Sequence, residues 1–77
     1  MAVVKVYSTP TCPYCVLAKD FLRKNGVKFE DIDVSQDAAA AEEMIRRSGQ
    51  AGVPVIEIDG EMIVGFNVPE IKRKLKL

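Results

Sequence analysis

Two cysteines three residues apart, Cys12 and Cys15, stand between a β-branched run and the start of a helical pattern. Val3, Val4, Val6 and Tyr7 precede them as a strand, and Leu17, Ala18, Phe21 and Leu22 follow as an apolar helical stripe. Any fold of this chain must therefore present both sulfurs where a strand hands over to a helix. A helix N-terminus carries roughly half a positive charge and unpaired backbone N–H groups. Both favour a thiolate over a thiol, and the thiolate is the nucleophile. Pro13 suits the first helical position, because its fixed φ fits and its missing N–H would be unpaired anyway. A Cys-x-x-Cys at such a junction is the local mark of a redox site.

The rest of the composition narrows the function classes. A chain of 77 residues allows one domain, 1–77, and at this size only about 60% of the unfolded surface can be buried. It has three Phe, two Tyr and no Trp, so Val, Ile, Leu and Ala must fill the core. Eleven basic residues balance eleven acidic ones, which removes the electrostatic footprint of a nucleic-acid binder. No apolar stretch approaches the roughly 18 residues of a membrane span. Strand-like sequence begins by Ala2, which leaves no room for a signal peptide. These features together give the expectation of a cytoplasmic monomer that binds neither membrane nor nucleic acid. In a reducing compartment a lone Cys-x-x-Cys is a poor permanent disulfide.

Periodicity predicts the order βαβαββα. A first strand covers 1–7, and residues 8–11 form a polar turn into the first helix, which Asn25-Gly26 stops. A second strand covers 27–34, with Val27, Phe29, Ile32 and Val34 as its apolar members. Ser35 or Asp37 caps a helix over 38–47, where Glu42 with Arg46 and Glu43 with Arg47 are i, i+4 pairs on a solvated face. Strands over 53–58 and 61–64 flank Asp59-Gly60, a type I′ hairpin signal. Asn67 and Glu70, spaced as a capping box, open a last helix with Val68, Ile71 and Leu75 as its buried stripe. Lys72, Arg73, Lys74 and Lys76 lie towards its negative end as a solvated face. One parallel βαβ unit and one antiparallel hairpin make a mixed four-stranded sheet flanked by three helices, an α/β thioredoxin fold in minimal form.

With Cys12 at the N-cap, Cys15 falls at the third helical position, its sulfur beside that of Cys12 and partly covered. Cys12 then attacks a substrate disulfide, and Cys15 resolves the mixed disulfide. Three other readings compete. A structural disulfide would close a loop of only four residues, worth roughly 2 kcal/mol on the chain-entropy estimate. A zinc site needs four ligands, and the chain has two cysteines and no histidine, so no metal is expected. Two inert core cysteines would not be spaced by Pro-Tyr at a loop-to-helix junction.

Pro54 opens a strand, where proline is tolerated at an edge or a first position. A cis Val53–Pro54 bond would turn the backbone of Val53 outward to meet an extended peptide. Tyr14 offers an exposed ring beside the cysteines, or is a rim aromatic without a role. Gly65, Phe66 and Asn67 lie at the junction facing the cysteines, where a helix N-terminus can hold a carboxylate; Phe66 can equally be core and Asn67 only a cap.

Over essentially its whole length the chain resembles the glutaredoxin family. Tyr7-Ser8-Thr9-Pro10-Thr11-Cys12-Pro13-Tyr14-Cys15 is similar to the dithiol glutaredoxin active site, and Gly52-Val53-Pro54-Val55-Ile56 to the segment that ends in a cis-proline. The resemblance implies the thioredoxin fold, a nucleophilic Cys12, a resolving Cys15 and a cis Pro54; beside it stands the expectation of a thiol-peptide site made by Thr11, Pro13, Tyr14, Val53, Pro54, Gly65, Phe66 and Asn67. It implies a protein-disulfide oxidoreductase active in cell redox homeostasis and electron transport, with protein disulfides or glutathione mixed disulfides as substrates. There are departures. Thr9 stands where glutathione-dependent members often carry Lys, and Gly65-Phe66-x-x-Glu70 looks more like NrdH-type redoxins. Those are glutaredoxin-like donors, for instance to ribonucleotide reductase, recharged by thioredoxin reductase. The resemblance thus implies no bound cofactor, and glutathione or thioredoxin reductase with NADPH as the electron source. A different class, a dimeric iron–sulfur cluster module, is represented among glutaredoxins but favours smaller spacers than Pro13-Tyr14.

Overall fold

A computed structural model describes residues 3–77. Its elements are β1 (Val4–Ser8), α1 (Pro13–Lys24), β2 (Glu30–Asp33), α2 (Ala38–Ser48), β3 (Val55–Ile58), β4 (Glu61–Val64) and α3 (Val68–Leu75). The order βαβαββα is the one expected. The strands form one sheet in the order β2-β1-β3-β4, parallel between β1 and β2 and antiparallel elsewhere. The first two residues of the expected first strand lie outside the described residues.

Strand alternation divides the core into two layers. Val4 and Val6 of β1, with Ile56, Ile58 and Ile63, pack against Ala18 and Leu22 of α1 and Ile71 of α3. Tyr7 and Val55 face the opposite way and pack against Met44 of α2. The sheet is thus sandwiched, α1 and α3 on one face and α2 on the other, and the thioredoxin fold follows. Among the described residues no helix is long and apolar enough to cross a membrane.

Several elements depart from the pattern read in the sequence. Leu17 is half-exposed rather than core, because the inward stripe of α1 runs through Cys15, Ala18 and Leu22, and Leu17 lies off it. β2 is only four residues long. Val27 cannot join it, since its N–H closes α1 by donating to Leu22 O at 2.9 Å, while Gly26, at φ +70°, donates to Arg23 O at 3.0 Å. β1 runs on to Ser8, which the expected turn would have claimed; it pairs in register with Asp33 and is buried.

Of the expected solvated pairs of α2, Glu43 and Arg47 lie 3.9 Å apart, while Arg46 takes another partner. Asp37, not Ser35, caps the helix, accepting from Ala40 N at 3.0 Å. Arg46 pairs with Glu43 one turn back rather than with Glu42. Arg47 turns inward: its guanidinium lies 2.6 Å from the buried Glu57 of β3 and donates to Gly60 O at 3.1 Å. Glu57 also accepts from the Tyr7 hydroxyl at 3.3 Å, so one carboxylate ties α2 to the middle of the sheet. In α3, Asn67 accepts from Glu70 N at 3.4 Å, but the Glu70 carboxylate binds Arg73 at 2.7 Å instead of completing the capping box. Lys74, expected on a solvated face, is largely covered and reaches Glu61 of β4 at 2.7 Å.

Candidate active site

The end of β1 and the start of α1 place the cysteines as their spacing requires. A turn closed by Cys12 N donating to Thr9 O at 3.4 Å delivers Cys12 to the N-cap, with Pro13 as the first helical residue. The Cys12 sulfur replaces the usual capping oxygen and accepts from Cys15 N at 3.1 Å. A helix N-terminus thus points one of its free N–H groups directly at this sulfur. Cys12 is partly exposed and Cys15 fully buried.

Burial differentiates the two thiols chemically. Burial first, and the contact with Cys12 second, push the Cys15 thiol up to about 11; the Thr9 backbone and the Lys19 charge pull the other way. At neutral pH Cys15 is therefore a thiol. Neither cysteine is in a disulfide.

The chain's other end supplies the opposite wall. Val53–Pro54 is cis, and Val53 O accepts from the Cys12 thiol at 3.8 Å. Pro54 is buried; its carbonyl accepts from Gly65 N at 2.8 Å, which ties the end of β4 to the cis-proline loop. Gly65 holds φ +79°, a conformation that admits glycine with little strain. Thr11, Pro13 and Tyr14 form the exposed rim, Tyr14 with 63% of its surface free. Cys12, Cys15, Val53, Pro54 and Gly65 thus meet at one end of the sheet. Phe66 instead turns into the core, edge-on to Phe21 with ring centroids 5.9 Å apart, and Asn67 spends its side-chain oxygen capping α3.

One cluster beside Cys15 escaped the reading of the sequence. Lys19, one helical turn beyond Cys15, lies 3.0 Å from Asp31 of β2 and 3.5 Å from the hydroxyl of buried Ser8, which donates to Asp31 at 2.9 Å. Burial opposes ionisation of Asp31, but the bonds from Lys19 and Ser8 and the Lys19 charge outweigh it, so its carboxyl titrates below the usual range. The i, i+4 spacing of Cys15 and Lys19 was the available signal; the β1/β2 register that brings Asp31 to them was not legible. Among the described residues no three His, Cys, Asp or Glu side chains are grouped so as to hold a metal ion.

A thioredoxin fold with a half-exposed cysteine capping a helix, and a second cysteine buried in its first turn, defines a dithiol redox protein. Comparison with known proteins narrows that class. The glutaredoxin family model matches residues 4–63. A glutaredoxin-like 8.6 kDa protein in the rubredoxin operon of Clostridium pasteurianum is 47% identical over 74 residues, covering 96% of this chain and 99% of that one. Glutaredoxin 3 of Escherichia coli K12 is 48% identical over 65 residues, covering 84% and 78%. Among solved structures, a mutant of the thioredoxin-like protein BC3987 superposes with a TM-score of 0.90 at 37% identity, covering 95% and 94%. The chain belongs to the glutaredoxin family, and with that membership goes thiol–disulfide oxidoreductase activity.

Proposed function

We propose that this protein reduces protein disulfides through a Cys12/Cys15 dithiol, with glutathione mixed disulfides as poorer substrates. The observation that carries the reading is the asymmetry at the helix cap: the Cys12 sulfur is partly exposed and receives the Cys15 N–H at 3.1 Å, while Cys15 is buried as a thiol. Cys12 attacks one sulfur of the substrate disulfide; a Cys12–substrate bond forms, the substrate S–S bond breaks, and the departing thiolate takes a proton. Cys15 loses its proton and attacks Cys12. The Cys12–Cys15 disulfide forms as the second substrate thiol leaves, two electrons having passed to the substrate.

The Val53 backbone serves as the docking edge for the substrate. Its N–H has no partner among the described residues, and its carbonyl meets only the Cys12 thiol, so an extended peptide can pair there beside the attacking sulfur. Thr11, Pro13 and Tyr14 form the rim over which the peptide lies, and Asn67 with the start of α3 offers N–H groups to a carboxylate.

The surroundings of Thr9 support weak use of glutathione. That tripeptide carries two carboxylates. Thr9 shares a small cavity with Asp31 and Asp33, and the basic side chain lining it, Lys19, is already held by Asp31. A second reading, an electron donor recharged by thioredoxin reductase in the manner of NrdH-type redoxins, draws on the Gly65-Phe66-x-x-Glu70 stretch. One experiment separates the reductants: turnover of the oxidised protein with glutathione against turnover with thioredoxin reductase and NADPH. Faster recharging by the reductase supports the reading, and recharging by glutathione at the rate of a typical dithiol glutaredoxin overturns it.

A further inference from the structure

We propose that Lys19 is a positioning residue for the second chemical step: held by Asp31 and Ser8, its ammonium favours the Cys15 thiolate that displaces substrate from Cys12. The inference rests on the dithiol reading above and assigns a group that acts only after the first attack.

Three observations carry it. Lys19 follows Cys15 by four residues on the same face of α1, one turn deeper into the fold. Its side chain is only 16% exposed, and Asp31 of β2 at 3.0 Å and Ser8 of β1 at 3.5 Å fix its ammonium against the sheet. A cavity of about 210 Å³, lined by Ser8, Thr9, Pro10, Lys19, Asp31 and Asp33, opens against the same cluster and reaches the turn that carries Cys12. A surface lysine would be screened and mobile; a covered, tethered one acts on its neighbours through a poorer dielectric.

The chemistry needs such a group. Cys15 is completely buried, and a buried thiol resists ionisation. To resolve the mixed disulfide it must give its proton to solvent, bond through its sulfur to Cys12, and break the Cys12–substrate bond. The electron pair leaves with the substrate thiolate, which is then protonated. Negative charge thus develops on Cys15 before it passes to the leaving sulfur, and a fixed cation one turn away lowers that barrier. The titratable groups around Cys15 are Cys12 and Lys19 of α1 and, beyond Lys19, Asp31 and Asp33 of β2. Tyr7 of β1 and Glu57 of β3 face the α2 side of the sheet, where Glu57 binds Arg47. Lys19 is the positive member of the set on the Cys15 side, and its charge acts on Cys15 in the favourable direction.

The test separates the two steps in the full-length reduced protein. Mixed with dithio-bis-nitrobenzoate, each dithiol releases coloured thiolate twice: once as Cys12 attacks the reagent, and again as Cys15 displaces the second half. Lys19→Met should slow the second release about threefold at neutral pH and move its pH midpoint up by about half a unit, with a smaller effect on the first. Lys19→Arg, which keeps the charge, should restore it. The inference is overturned if Lys19→Met slows both releases alike or neither, or if Lys19→Arg behaves as Lys19→Met. Failure of the underlying reading looks different: Cys12→Ser would then keep a fast first release.

Discussion

A buried thiol pushed up to about 11 stays protonated at neutral pH, whereas a cysteine sulfur at a helix cap is offered backbone N–H groups and is open to solvent. Alkylation by a small reagent across a pH series should therefore label Cys12 first. Cys15 should react only as pH climbs from about 9 towards about 11. Faster labelling of Cys15 at neutral pH would reverse the roles. At Thr9, substitution adds what the site lacks. A charge-assisted bond to a ligand carboxylate is worth about 1.5–3 kcal/mol, or roughly one to two orders of magnitude in affinity. Thr9→Lys should recover part of that for glutathione mixed disulfides, most clearly at low salt. A KM for a glutathione mixed disulfide that does not fall in the variant contradicts the reading of Thr9.

Arg47 binds helix α2 to the sheet through Glu57, whose side chain is 9% exposed. Removing one partner of a covered pair leaves a charge without its counter-ion, a loss of about 3 kcal/mol. Arg47→Met should lower stability by about that much in urea unfolding, and Glu57→Gln by less, since an amide still accepts from Tyr7. Equal, small effects would mean that the pair is no more than a surface contact. This network also marks where the sequence stopped being informative. Element order, the caps at Cys12, Asp37 and Asn67, and the type I′ turn all rest on local chemistry: Asp59 and Gly60 both adopt positive φ, 50° and 86°, as that turn demands. Arg47 and Glu57 were legible only as a helix charge and a strand charge, because their pairing depends on how α2 lies across β3. Lys19 and Asp31 are alike in this, joined by a parallel register that no local pattern encodes. Leu17 was misassigned for the opposite reason, since a pattern of i, i+1, i+4 and i+5 leaves open which edge of the stripe faces in.

Taken as one cooperative unit, the reduced protein should show a simple dependence of stability on pH. Asp31 titrates lower in the folded state than its ordinary 3.8, so its contribution is complete above that value and is lost as pH falls through the folded one. Cys15 titrates higher than its ordinary 9.0, so its contribution is complete below that value and fades as pH rises towards about 11. With no histidine in the chain, no side chain of ordinary pKa titrates between about pH 5 and 8. Thermal melting of Cys12→Ser, which lacks the helix-cap thiol, should give a plateau across that window with a fall on either side, and a midpoint that drops steadily within it would contradict the assignment. The central claim is that the fold makes one thiol an attacker and the other a resolver, and it is tested most directly by trapping. Cys15→Ser should accumulate a mixed disulfide between Cys12 and a disulfide-bearing protein substrate, seen as a covalent adduct by mass spectrometry and lost on reduction. Cys12→Ser should form no such adduct and reduce no disulfide. A Cys12→Ser protein that retains full protein-disulfide reductase activity would contradict the account.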